Sequence, residues 1–327
     1  MMQFRLPVRL LAAAWLLLAC TTATLAQAPE TRPWRLAVLA TTPLSLEVTR
    51  TRMLPALARL GFIEGRNLGV AMHWADIPQL PDTVRAILLE RPDVIFTTGS
   101  DTTQAVRALS STLPIVYFGA DPVGQGFAES LARPGGMVTG IAILASELEG
   151  KRLDMLHQAL PGRRRVGALI YAPSPDRPAS EREMRRAAGV LGLELQLFNV
   201  AGRDDYPAAF AAMRAAGIEA LLIMATPQLF GDASQLAAMA REARLPTICE
   251  WASMAASGCL LGYGPDIDDL RRRAAIVVAR ILRGVPPGEI PIELPTRFTL
   301  GVNLGTAQAL GVTLPAALMA QADAVFD

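Results

Sequence analysis

Two histidines, three cysteines and a single lysine stand in a chain of 327 residues, and each shortage excludes something. His73 and His157 lie far apart and no CxxC pair exists, so a zinc site built from such ligands is excluded. The lysine, Lys151, belongs to no basic block. With 31 basic and 30 acidic residues the net charge is +1, which lacks the electrostatic footprint of a nucleic-acid binder. No GxSxG nucleophile elbow occurs. Gly150-Lys151 is followed by Arg152 and position 145 is not Gly, so there is no P-loop. Gly124-Gln125-Gly126 ends in Glu129 where a dinucleotide motif needs Gly. Asp154 and His157, three apart on a helix, read as a solvated face. A periplasmic hydrolase is therefore the weaker alternative, and neither cofactor nor metal is expected.

What is present is a hydrophobic content of 51%, interrupted by polar spacers after the N-terminus. That is the composition of a soluble chain with ample core, long enough for two domains. At the N-terminus, Arg5 and Arg9 precede an apolar run from Leu10 to Ala19, then small residues Ala23, Ala26 and Ala28. This is the order of a secretory signal, too short to span a bilayer permanently. Residues 1–26 are expected to be removed after Ala26. The alternative is cleavage before Cys20, with lipid attached there. Either route makes the protein periplasmic. Of the remaining cysteines, Cys249 and Cys259 either pair or stay as two buried thiols.

From Trp34 onward, short apolar runs alternate with amphipathic stretches. Strands are expected at 35–40, 68–73, 94–97, 115–118 and 138–141, then at 166–171, 194–200, 220–225, 247–249 and 259–262. The clearest helix runs from Asp266 to Arg283, with Leu270, Ala274, Val277, Val278 and Ile281 on one stripe and Gly284 beyond its end. Strands that are apolar throughout suit parallel sheets covered on both faces, so the fold class is doubly wound α/β. The halves echo each other. In each, an apolar strand ending in a hydroxyl residue leads through a helix to a strand opened by Leu-Pro, at Leu113-Pro114 and Leu245-Pro246. Lobe one is read as 34–142 with a return helix at about 266–284. Lobe two is read as 147–262, with the segment 298–327 left unassigned. Crossings fall near 143–147, 262–266 and 285–297.

Several strings carry a resemblance. Pro92-Asp93-Val94-Ile95 precedes Thr97-Thr98-Gly99. Asp121-Pro122-Val123-Gly124 follows Pro114-Ile115-Val116-Tyr117. The run from Ser130 to Gly140 (SLARPGGMVTG) is the most specific. Leu148-Glu149-Gly150-Lys151-Arg152-Leu153, Tyr263-Gly264-Pro265-Asp266, Arg271-Arg272-Arg273-Ala274-Ala275 and Asn303-Leu304 follow. Over residues 34–327 the chain resembles the ABC-transporter substrate-binding family that includes the tryptophan-type (TrpX-type) proteins. The resemblance implies a type I periplasmic-binding fold, a small-molecule ligand such as an amino acid between the lobes, permease and ATPase partners at the inner membrane, and a monomer. Where Ala172 stands the family commonly has Asn, so the ligand's identity does not carry over. A sensor that docks on a membrane receptor is a further alternative.

Ligands of open α/β sheets sit beyond the carboxyl ends of the strands. In lobe one that rule selects Thr41, Thr42, Ser45, Thr98, Gly99, Ser100, Asp101, Thr102 and Asp121. In lobe two it selects Tyr171, Ser174, Asp176, Thr226, Gln228, Glu250 and Trp251, with Tyr263 at a crossing. A ligand carboxylate is expected at the helix start Thr98–Thr102, where backbone N–H groups are free. An ammonium is expected at Asp121, unless that residue only stabilises its own turn. Arg177 is the one cation near these loops, which favours a zwitterion or a neutral molecule over a polyanion.

Overall fold

The computed structural model describes residues 32–327; the expected signal segment, with Cys20, lies outside them. Lobe one begins with β1 (Trp34–Ala40), the helical pair α1 (Pro43–Val48) and α2 (Leu54–Arg59) joined by a π-turn, and β2 (Leu68–Trp74). It continues through α3 (Leu80–Leu89), β3 (Val94–Thr98), α4 (Ser100–Leu109), β4 (Ile115–Gly119) and β5 (Val138–Ala142). The five strands form one parallel sheet in the order β2-β1-β3-β4-β5. Alternation along the strands explains its burial. Leu36, Val38, Phe96 and Phe118 enter one core, while Ala37, Leu39, Ile95 and Tyr117 enter the core on the other face.

The chain then enters lobe two through α5 (Glu149–Ala159), β6 (Arg165–Tyr171), α6 (Arg177–Leu191) and β7 (Glu194–Val200). Next come α7 (Tyr206–Ala215), β8 (Ala220–Ile223), α8 (Pro227–Gly231), α9 (Ala233–Glu242), β9 (Thr247–Cys249), α10 (Ala252–Ala256) and β10 (Leu261–Pro265). Helix α11 (Ile267–Leu282) packs back on α2 and on β3, β4 and β5 of lobe one. Its first turn is held by Asp266, whose carboxylate accepts from the N–H groups of Asp268 and Asp269, both at 3.0 Å. After α11 the chain runs beside β5, where Thr139 Oγ1 donates to the Ile290 carbonyl at 2.6 Å. It returns as β11 (Phe298–Asn303), α12 (Leu304–Leu310), α13 (Ala316–Met319) and β12 (Ala324–Phe326).

The second sheet therefore has seven strands, in the order β12-β11-β10-β9-β8-β6-β7. β11 pairs antiparallel with β10, a departure from the all-parallel expectation. The reason is direction of entry: β10 leaves lobe two toward the crossing, and β11 comes back from it. Cys249 and Cys259 are joined by a disulfide with a Cα–Cα distance of 6.6 Å, which decides between the two readings of those cysteines. Among the described residues no helix is long and apolar enough to cross a membrane.

Candidate ligand-binding cleft

The carboxyl ends of both sheets face the space between the lobes. An inner cavity of about 50 Å³ lies there. Of the residues selected from the sequence, Ser45, Thr98, Gly99, Asp176, Thr226, Glu250 and Trp251 line it. Thr98 Oγ1 is buried with no hydrogen-bond partner among the described residues, so a free hydroxyl faces the cavity. Thr226 begins α8 and accepts from Leu229 N–H at 3.2 Å. Trp251 meets Phe230 edge to face, with ring centroids 6.5 Å apart.

A second, larger hollow of about 980 Å³ takes Thr41, Thr42, Tyr171 and Gln228 instead. The expected set is thus divided between two spaces. The contact of α1 with α8 stands between them: Gln228 Nε2 donates to Thr41 Oγ1 at 3.2 Å across the lobes. Thr42 caps α1, accepting from Ser45 N–H at 3.2 Å.

The helix start at α4 is committed elsewhere. Ser100 Oγ lies 3.0 Å from Asp176 Oδ2 and 3.1 Å from the Tyr117 hydroxyl. Thr102 Oγ1 folds back on the carbonyls of Thr98 and Gly99. Gln125 Nε2 donates to Asp176 Oδ1 at 2.8 Å, so Asp176 of lobe two accepts from two lobe-one groups. Burial raises the Asp176 carboxyl above its ordinary value. Burial, reinforced by the Asp176 charge, raises Asp101 to about 6. Ser174 Oγ accepts from Asp176 N–H at 3.2 Å, a local turn.

Two expectations are corrected. Asp121 is exposed and does not line the cavity; its Oδ1 accepts from the N–H groups of Val123 at 3.1 Å and Gly124 at 2.8 Å. It serves its own turn, as an Asp before a Pro in a tight turn commonly does. Tyr263 stacks on Phe298 and offers its carbonyl to Arg152 Nε at 2.8 Å, so it belongs to the crossing.

Sequence reasoning missed the charged groups with greatest burial. Arg152 is fully buried, bonded to the carbonyls of Tyr263 and Ala145 and 3.2 Å from Glu149 Oε2. Glu149 Oε1 in turn accepts from Ala225 N–H at 2.8 Å. This ion pair therefore ties two crossings to the end of β8. Glu250 adjoins it. Burial pushes the Glu250 carboxyl up to about 7, with Arg152 opposing and Glu149 assisting. Arg271, in the second turn of α11, lines the cavity from lobe one at 3% exposure. Its guanidinium carbon lies 3.9 Å from the Phe118 ring centroid and 5.1 Å from that of Phe96. Nη1 donates to Thr49 Oγ1 at 3.0 Å, while Nε has no partner among the described residues. Burial alone lowers its pKa to about 9; no carboxylate offsets it. A signal existed: Arg271 sits three residues before Ala274 and seven before Val278, on the buried stripe of α11.

Two α/β lobes, three crossings and a charged cavity between the sheet ends define a type I periplasmic-binding fold. The chain belongs to the ABC transporter substrate binding protein family, whose model matches residues 42–326. A tyrosine-binding protein of Clostridioides difficile is 21% identical over 269 residues, covering 81% of this chain and 77% of that protein. A conserved domain protein from Vibrio cholerae superposes with a TM-score of 0.84 at 24% identity, covering 90% of this chain and 100% of that one. An ABC domain from Streptococcus pneumoniae in complex with L-Trp gives 0.82 at 18% identity, with the same coverage. Substrate-binding proteins of ABC transporters work outside the cytoplasm, and the family is a binding family rather than an enzyme class.

Proposed function

We propose that the protein is the periplasmic receptor of an ABC importer: it closes its lobes on a small organic molecule and hands it to a membrane permease driven by an ATPase. It performs no chemistry of its own. The observation that carries this reading is the cross-lobe seam around the inner cavity. Asp176 accepts from Ser100 and Gln125 across the lobes, and Thr98, Phe118 and Arg271 of one lobe line the inner cavity with Asp176, Thr226 and Glu250 of the other. A solute touching both walls favours the closed arrangement by its differential affinity for it. The tyrosine-binding and L-Trp-bound relatives make an amino acid the first class to try. The secretory signal read in residues 1–26 supports export, which the outward-facing partner requires.

The test is native purification without refolding, identification of any co-purified small molecule by mass spectrometry, and small-angle scattering with and without it. Saturation should reduce the radius of gyration. A protein that binds no small molecule, or that keeps one radius of gyration at every ligand concentration, would refute the receptor reading.

A further inference from the structure

Arg271 poses an electrostatic problem that the chain alone leaves unsolved. A guanidinium withdrawn from water needs an anion or a full set of acceptors. Here one nitrogen meets Thr49, two aromatic faces cover the plane, and the Nε side has no acceptor. The charge faces a cavity, so the missing partner is something that enters it. A planar carboxylate fits, because it accepts two parallel N–H bonds from one guanidinium edge.

The opposite wall carries the complementary problem. Glu250 is 5% exposed and lines the same cavity from lobe two, beside Trp251. The nearby cation, Arg152, is already bound to Glu149 and two carbonyls. Glu250 and Arg271 do not form an ion pair with each other, so each retains capacity for a third body. Asp176, the other carboxylate on the cavity, is occupied by Ser100 and Gln125.

We infer that Arg271 anchors the ligand's carboxylate and Glu250 receives its ammonium, so the site selects a zwitterionic amino acid whose two charges are read by opposite lobes. The inference rests on the receptor reading above and deepens it. It excludes sugars, polyamines and dicarboxylates as the preferred solute. Trp251, Phe230 and Phe118 supply apolar walls for the rest of the molecule.

Calorimetry on the ligand-freed protein tests it. The twenty standard L-amino acids are titrated first. The tightest binder is then compared with its decarboxylated amine and its deaminated acid. Loss of either charged group should weaken binding by at least about 100-fold, the usual cost of stranding a desolvated charge. Arg271→Gln should lose a similar factor toward the amino acid and lose no more toward the amine, whereas Glu250→Gln should show the mirror pattern. Arg271→Lys keeps charge and bulk but not the two-pronged edge, and should still fall about tenfold. The ligand comparison in the wild-type protein stands even if a variant fails to fold. An amine that binds as tightly as its amino acid overturns the inference, as does an Arg271→Gln protein with unchanged affinity. So does a co-purified solute without a carboxylate. That last result would leave the receptor reading intact, since a small molecule is still bound.

Discussion

At the scale of single residues, the cleft is governed by charges that folding has removed from water. Glu250 is raised to about 7 and Asp101 to about 6, in both cases first by burial. For each, the folded-state value lies above the ordinary one of 4.5 or 3.8. The stability they contribute is therefore full below the ordinary values and is lost as pH rises through about 6 and 7. The groups facing Glu250 are Arg152 and Glu149, with Arg271 and Asp176 on the same cavity. The ligand-free protein should melt at a higher temperature at pH 5 than at pH 7.5. Glu250 alone accounts for about 3 kcal/mol of that difference at most. Calorimetric scans across this window check it, and Glu250→Gln should flatten the slope. Asp121 shows the limit of reading residues one at a time. An Asp before Pro after a strand is equally suited to ligand or turn, and only the orientation of the loop chose the turn.

At the scale of elements, the wall formed by residues 249–260 depends on how the chain is fastened. The disulfide closes a loop with a sequence separation of 10 around Glu250, Trp251 and α10. Closing a loop of that size in the unfolded chain contributes about 3 kcal/mol to stability. The Cys249→Ala/Cys259→Ala protein should show a loss of that order in urea titration. Beneath the same wall, Gly264 lets β10 pass directly against the Glu250 carbonyl; a Cβ there would collide with it. The sequence showed helices and parallel strands well, because burial on both faces leaves continuous apolar runs such as Val94–Thr97. It did not show β11 or β12. Phe298–Asn303 has glycine and asparagine among its apolar residues, Ala324–Phe326 is three residues long, and both owe their strand state to pairing with distant segments.

At the scale of the whole molecule, closure rests on few contacts. Asp176 accepts from Ser100 and Gln125, while the Thr41–Gln228 bond is neutral. Hydrogen bonds to a carboxylate are stronger than neutral ones, at about 1.5–3 against about 1 kcal/mol. Asp176→Ala should therefore shift the population toward an open form and weaken ligand binding about tenfold or more. Thr41→Val should change it by only a few-fold. Scattering of the free proteins and calorimetry with the identified solute measure both effects; equal affinities in the two variants would mean that the Asp176 seam does not hold the lobes.

What the sequence by itself determined is the class of fold, the alternation of strands and helices, and the family. These follow from periodicity, turn residues and local strings, which are properties of neighbours along the chain. Tertiary structure alone decided which hydroxyls face the solute and which merely cap a helix. It also decided that Asp176 bridges the lobes and that Arg271, 153 residues from Phe118 and 222 from Thr49 in the chain, lines the cavity with no carboxylate beside it among the described residues. The physical reason is that burial of a charge depends on what packs around it from elsewhere in the chain. An arginine on an apolar helical stripe marks the place, and the folded cleft supplies the desolvation that gives it a use.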